Sequence, residues 1–188
     1  METTLSIFVG VGLSAACGFR VFVPFLIMSM ASLAGHLDLA PGFDWIGTYY
    51  ALAAFATATL VEVLGYYVPW VDNILDAIAT PAAIVAGTVA TAAMVSDLSP
   101  FLKWALALIA GGGTAGVIQI GTVALRGASS ATTGGLGNFA VSTGELVGSV
   151  AATLVAIVLP IVAIILVAVL CTFILRGLRR IFFRKRTA

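Results

Sequence analysis

Residues 12 to 25 read Gly-Leu-Ser-Ala-Ala-Cys-Gly-Phe-Arg-Val-Phe-Val-Pro-Phe. They sit in the middle of an apolar run from Leu5 to Leu33 whose one charge is Arg20. A run of that length suffices to cross a hydrocarbon core about 30 Å thick, since about 20 helical residues span it. A guanidinium inside such a run has to be paired or to line a wet cavity, because its desolvation is costly. One stretch thus sets both the solvent of this protein and the first place to look for its site.

The composition of the whole chain agrees. Of 188 residues, 61% are hydrophobic and only 9% charged, against about 25% charged in soluble domains. The mean hydropathy is +1.16. The solvent is therefore lipid, and runs of this length in lipid fold as helices, which satisfy their own backbone hydrogen bonds. The expectation is an all-α, polytopic helical membrane protein forming a single domain over residues 1–188. The net charge of +1 does not point to nucleic acid, because the basic residues gather in a tail over residues 176–188. Cys17 and Cys171 lie in separate apolar segments and read as small buried hydrophobes, not as a disulfide or metal ligands. Glu2 has the wrong sign for a signal-peptide start, so the first apolar run is expected to stay as a span.

Five spans are expected, within a range of four to six. They run over residues 5–33, 47–68, 77–95, 101–125 and 144–175. A polar break follows the first, and Pro69 ends the second, with Tyr66, Tyr67 and Trp70 suited to the headgroup level. Asp72 and Asp76, at i and i+4, share one face of a short amphipathic piece. A hydroxyl- and glycine-rich loop is expected over 127–143. The last run exceeds the length of one crossing and contains Pro160; one kinked helix is favoured over two short limbs. Arg176, Arg179, Arg180, Arg184, Lys185 and Arg186 place the C-terminus in the cytoplasm by the positive-inside rule. Five spans then put the N-terminus outside and Lys103 on the cytoplasmic side.

Glycines cluster at Gly10, Gly12 and Gly18, at Gly111 to Gly113 with Gly116, and at Gly134, Gly135 and Gly137. Close helix packing accounts for such clusters. A break that exposes backbone groups to a solute is the alternative, tolerated at depth only inside protein or beside water. Gly10 to Arg20 and Gly116 to Arg126 share a spacing of ten residues. Each arginine is followed by a lone glutamate, Glu62 or Glu145, and then a proline. This is a weak sign of an internal repeat; inverted repeats are common in secondary transporters, whose sites lie at the repeat interface.

Six ionisable groups lie in or against apolar segments: Arg20, Glu62, Asp72, Asp76, Arg126 and Glu145. Buried charges of this kind mark function by default, although a structural ion pair explains them equally simply. Burial favours the neutral form of a carboxyl group, which can then bind and release a proton near neutral pH; Glu62, among apolar neighbours, is the best proton carrier. Arginine keeps its proton, so Arg20 and Arg126 act as fixed charges or anion clamps. Gly18, Ser129, Thr132, Thr133 and Asn138 are candidates for a loop or helix break that offers polar groups to an ion. No nucleophile elbow, phosphate loop, paired-cysteine motif or multi-histidine set is present, so neither an enzyme, a metal nor a cofactor is expected.

Three strings carry a family resemblance: residues 12 to 25, quoted above; Val-Glu-Val-Leu-Gly-Tyr-Tyr-Val-Pro-Trp-Val-Asp-Asn-Ile-Leu-Asp (61 to 76); and Arg-Gly-Ala-Ser-Ser-Ala-Thr-Thr-Gly-Gly-Leu-Gly-Asn (126 to 138). Together they resemble the bacterial membrane family known as domain of unknown function 4126. The resemblance implies a small polytopic protein of the bacterial cytoplasmic (inner) membrane and names no reaction or substrate. The expected function is a small channel or secondary transporter, dimeric, moving a small ion or polar solute past Arg20, Glu62, Arg126 and Glu145. Acids outnumber arginines and can titrate, which tips the expectation towards proton or cation coupling. The competing expectation is a membrane scaffold or lipid-interacting protein in which the charges are structural pairs.

Overall fold

The computed structural model describes residues 3–68 and 71–184, without the side chains of residues 72, 73 and 181–184. The described residues are helical and contain no strand. The helices are α1 (Thr3–Phe19), α2 (Phe22–Leu33), α3 (Tyr49–Gly65), α4 (Val71–Met94), α5 (Pro100–Leu106), α6 (Gly113–Thr133), α7 (Asn138–Val158) and α8 (Pro160–Arg184). A π-helical turn, Ala107–Gly112, joins α5 to α6, so that these form one rod over Pro100–Thr133. This rod, α4, α7 and α8 are long and apolar enough to cross a membrane, while α1, α2 and α3 are shorter. The chain is an integral membrane protein.

The first apolar run does not cross. Helix α1 lies antiparallel to α4: Ser14 Oγ donates to the Gly87 carbonyl at 2.8 Å, and Thr91 Oγ1 donates to that of Gly10 at 3.0 Å. Thr3 at the start of α1 bonds Asp97, beyond the end of α4. The chain turns at Arg20–Val21, and α2 then returns towards that same end. Its partner α3 runs antiparallel to it, with Phe25 stacked on Phe55 at 5.3 Å. The loop after α2 closes on the end of α4, where the Ala40 amide donates to the Ala93 carbonyl at 2.7 Å. Residues 5–33 are thus a re-entrant hairpin and not a span. Seventeen residues of α1 at 1.5 Å each cover about 25 Å, so Arg20 sits at the hairpin tip, away from the end of the bundle that holds Thr3 and Asp97.

The last apolar run also differs from the single kinked crossing expected. Leu159 interrupts it, Pro160 starts α8, and α7 and α8 form a hairpin against α1. A methyl group on Gly12 would meet Ala156 of α7 at 2.7 Å and Ala163 of α8 at 3.3 Å, one on either side of the turn. From there α8 runs beside α6, with Ile174 against Gly121. Its basic end therefore leaves the bundle opposite Thr3 and Asp97. Lys103 lies over Phe43 at the Thr3 end, so it does not share a side with the C-terminal tail as expected.

The expected loop over 127–143 shrinks to residues 134–137, because α6 continues to Thr133 and α7 begins at Asn138. Gly134 and Gly135 take positive φ values of 64° and 94°, which ends α6 without strain. The glycines of α1 do not break it; they let neighbours in. A methyl group on Gly10 would lie 3.0 Å from the Thr91 Cα, and one on Gly18 would lie 2.7 Å from the Ala115 carbonyl. Large side chains of α8, among them Ile165, Val169 and Phe173, point outward, as a lipid-facing helix requires.

Candidate functional site

The break between α1 and α2 leaves backbone donors unpaired at the start of α2, inside the bundle. They are met by a carboxylate from α3. Glu62 accepts from the Val21 amide at 2.7 Å and from the Phe22 amide at 3.1 Å. The first amides of a helix form a ready anion site, with the helix dipole adding to it. Glu62 therefore fills that site as a built-in anion, which explains how so short a turn survives among apolar neighbours.

Arg20, which precedes those amides, is 1% exposed. Its Nη2 donates to the carbonyl oxygen and to Oγ of Ser142 on α7, the former at 2.9 Å, and lies 3.5 Å from Glu145 Oε2. Its Nε and Nη1 are buried and have no hydrogen-bond partner among the described residues. Arg126 differs. Its Nε donates to Glu145 Oε1 at 3.0 Å, its Nη2 to Glu145 Oε2, and its Nη1 to Asp76 Oδ1 at 2.8 Å. All three nitrogens are engaged.

Tyr66, immediately after α3, draws the two arginines together. Their guanidinium carbons lie 4.0 Å and 3.8 Å from its ring centroid, Arg20 and Arg126 respectively. Both are cation–π contacts, a geometry worth roughly 0.5–2 kcal/mol, more where water is excluded. The ring lowers the cost of holding two like charges together. The resulting cluster takes side chains from α3, α4, α6 and α7 and the tip of α1.

Two cavities flank it. A vestibule of about 360 Å³ is lined by Asp76, Ala77, Val123, Arg126, Gly127 and Ser130. On another side, between α2, α3 and α4, an apolar groove of about 690 Å³ ends on Val21, Glu62 and Tyr66. Towards the Thr3 end, the Ser14 and Thr91 hydroxyls and the carbonyls of Gly10 and Gly87 are joined by hydrogen bonds in a buried knot.

The structure brings together Arg20, Glu62, Asp76, Arg126 and Glu145. The Asp72 side chain lies outside the described residues, as do Pro69 and Trp70. The break candidates are elsewhere or otherwise employed. Gly18 is a close-packing residue one turn before the break. Thr132 and Thr133 are helical and bond back to Ala128 and Ser129, while Asn138 Nδ2 donates to Ser130 Oγ across the α6–α7 turn. Two members escaped the sequence reading. Ser142 stands three residues before Glu145 and Tyr66 four after Glu62, helical spacings that put each on the face of a known charge. Tyr66 is buried beneath two arginines rather than in an interfacial belt.

Among the described residues no three His, Cys, Asp or Glu converge as a metal site. No curated protein and no solved structure matches the chain. The family described as "Domain of unknown function (DUF4126)" matches over residues 7–180, and the chain belongs to that family.

Proposed function

We propose that this protein is a small secondary transporter or channel that passes a small ion or polar solute through the cluster around Arg20 and Glu62. One observation carries the reading. Five ionisable side chains from separate segments meet at a broken re-entrant helix, between a polar vestibule and a groove. Charges in a membrane bundle are expensive, and a broken helix at depth is tolerated beside a cavity or inside protein. The vestibule reaches Asp76 and Arg126 from one end, and the Ser14–Thr91 knot closes the other. That asymmetry is what one state of an alternating-access cycle requires. In this reading the tail side is the cytoplasm, the membrane is the bacterial inner membrane, and the protein works as a homodimer.

The saturation of Arg126 favours a second reading, a non-transporting scaffold in which the cluster fixes helix register. The two separate on reconstitution into liposomes. We expect Arg20→Gln and Glu62→Gln to abolish or sharply reduce ion flux while the purified variants keep the monodispersity and helicity of the parent. Flux through the parent no greater than in protein-free liposomes leaves only the scaffold, and parental flux in both folded variants removes Arg20 and Glu62 from the pathway.

A further inference from the structure

The fully buried atoms of the cluster that lack a hydrogen-bond partner among the described residues are both donors. Glu62, Asp76 and Glu145 each accept hydrogen bonds from named partners, and each of the three Arg126 nitrogens donates one. Only Arg20 Nε and Nη1 remain unanswered, on a side chain 1% exposed. A ligand completing this site must bring acceptors. A cation would have to compete for carboxylate oxygens already held.

The place for such a ligand is held by the protein itself. Glu62 sits on the Val21 and Phe22 amides at the start of α2, an anion site one residue from Arg20. Glu62 differs from the other two carboxylates in having no arginine hydrogen bond, so neutralising it breaks no ion pair. We infer that the cargo is a small oxyanion that replaces the Glu62 carboxylate at the N-terminus of α2, with the Arg20 Nε and Nη1 as its further donors, once Glu62 has taken a proton. This rests on the transport reading above and names its substrate class and coupling.

Charge balance supports the exchange. The cluster has two arginines against three carboxylates, so an added anion alone would deepen a net negative charge in a poorly solvated place. A proton arriving on Glu62 leaves the total unchanged. The groups facing Glu62 are Cys17 and Arg20 from α1, Tyr66 beyond its own helix and Arg126 from α6; Asp76 and Glu145 stand behind Arg126. One proton and one anion then move together, and the empty carrier returns with Glu62 ionised on the amides.

The test measures binding and flux on the whole protein, with nitrate and inorganic phosphate as probes. In detergent, either anion should raise the Tm and bind more tightly at acidic than at alkaline pH. Glu62→Gln should bind at alkaline pH as the parent does at acidic pH, with the pH dependence gone. Arg20→Gln should weaken binding about ten- to a hundredfold, as the loss of charge-assisted hydrogen bonds does. In liposomes, an inward gradient of the anion should acidify a lumen containing a pH-sensitive dye.

Flux driven by sodium or potassium, with neither anion binding at any pH, overturns the anion assignment and leaves transport standing. Anion binding without flux of any ion overturns transport and leaves the site. Anion binding that stays pH-dependent in Glu62→Gln overturns the role of that residue. Should Arg20→Gln fail to fold, the parent and Glu62→Gln still decide.

Discussion

Two arginines share one tyrosine ring, yet their surroundings assign them different work. Arg126 grips Glu145 through two nitrogens and Asp76 through the third, which is how a guanidinium holds structure. Arg20 spends one nitrogen on Ser142 and keeps two open. Removing a partner from a buried ion pair strands the other charge and costs about 3–5 kcal/mol. Glu145→Ala should therefore lower unfolding stability in mixed micelles by that order, because both arginines lose it at once. Glu145→Gln keeps an acceptor and should cost less. Parental stability in Glu145→Ala would remove Glu145 from the framework. The sequence made these charges visible, since each stands alone among apolar residues. It did not show the pairing, because Arg20 meets residues 122 and 125 positions away and nothing local encodes that distance.

At the scale of helices, small residues decide how closely the core elements approach. Gly87 faces the π-helical turn, and a methyl group there would meet Ala115 Cβ at 2.6 Å and the Gly111 carbonyl at 2.9 Å. Gly113, only two residues beyond Gly111, faces open space. Gly87→Ala should thus cost about 1–3 kcal/mol, as overpacking does, and lower the Tm in detergent, whereas Gly113→Ala should be tolerated. Equal Tm values for the two would argue that α4 and the rod are not held by close approach. The glycine clusters were legible as packing or breakage, and for α1 packing was correct. The true break falls at Arg20–Val21, four residues before Pro24, which has no N–H to give the Arg20 carbonyl and whose ring crowds it. Glu62 then caps the amides the turn exposes. Pro24 is the local signal for the break, whereas the cap that closes it, about 40 residues away, has none.

For the whole molecule, hydropathy reports that a segment is in lipid but not which way it points. The membrane class and helical fold were therefore plain from composition, whereas two topological errors were not avoidable by that route. Residues 5–33 were long enough for one span and form a hairpin; residues 144–175 were read as one kinked span and form two helices separated by Leu159 alone. The two changes cancel in parity, so the ends of the bundle remain opposite. The charged cluster lies, however, at the hairpin tip, towards the end of the bundle from which α8 emerges. That position brings its Asp76 and Arg126 to the vestibule. Single cysteines test the arrangement in a parent with Cys17 and Cys171 replaced by alanine. Cysteines at Thr3, His36 and Asp97 should react with an impermeant maleimide from one side of sealed vesicles, and a cysteine at Gly177 only from the other. Thr3 and His36 reacting from opposite sides would make the first run a true crossing. It would then return Arg20 to mid-membrane and separate it from the vestibule on which the transport reading depends.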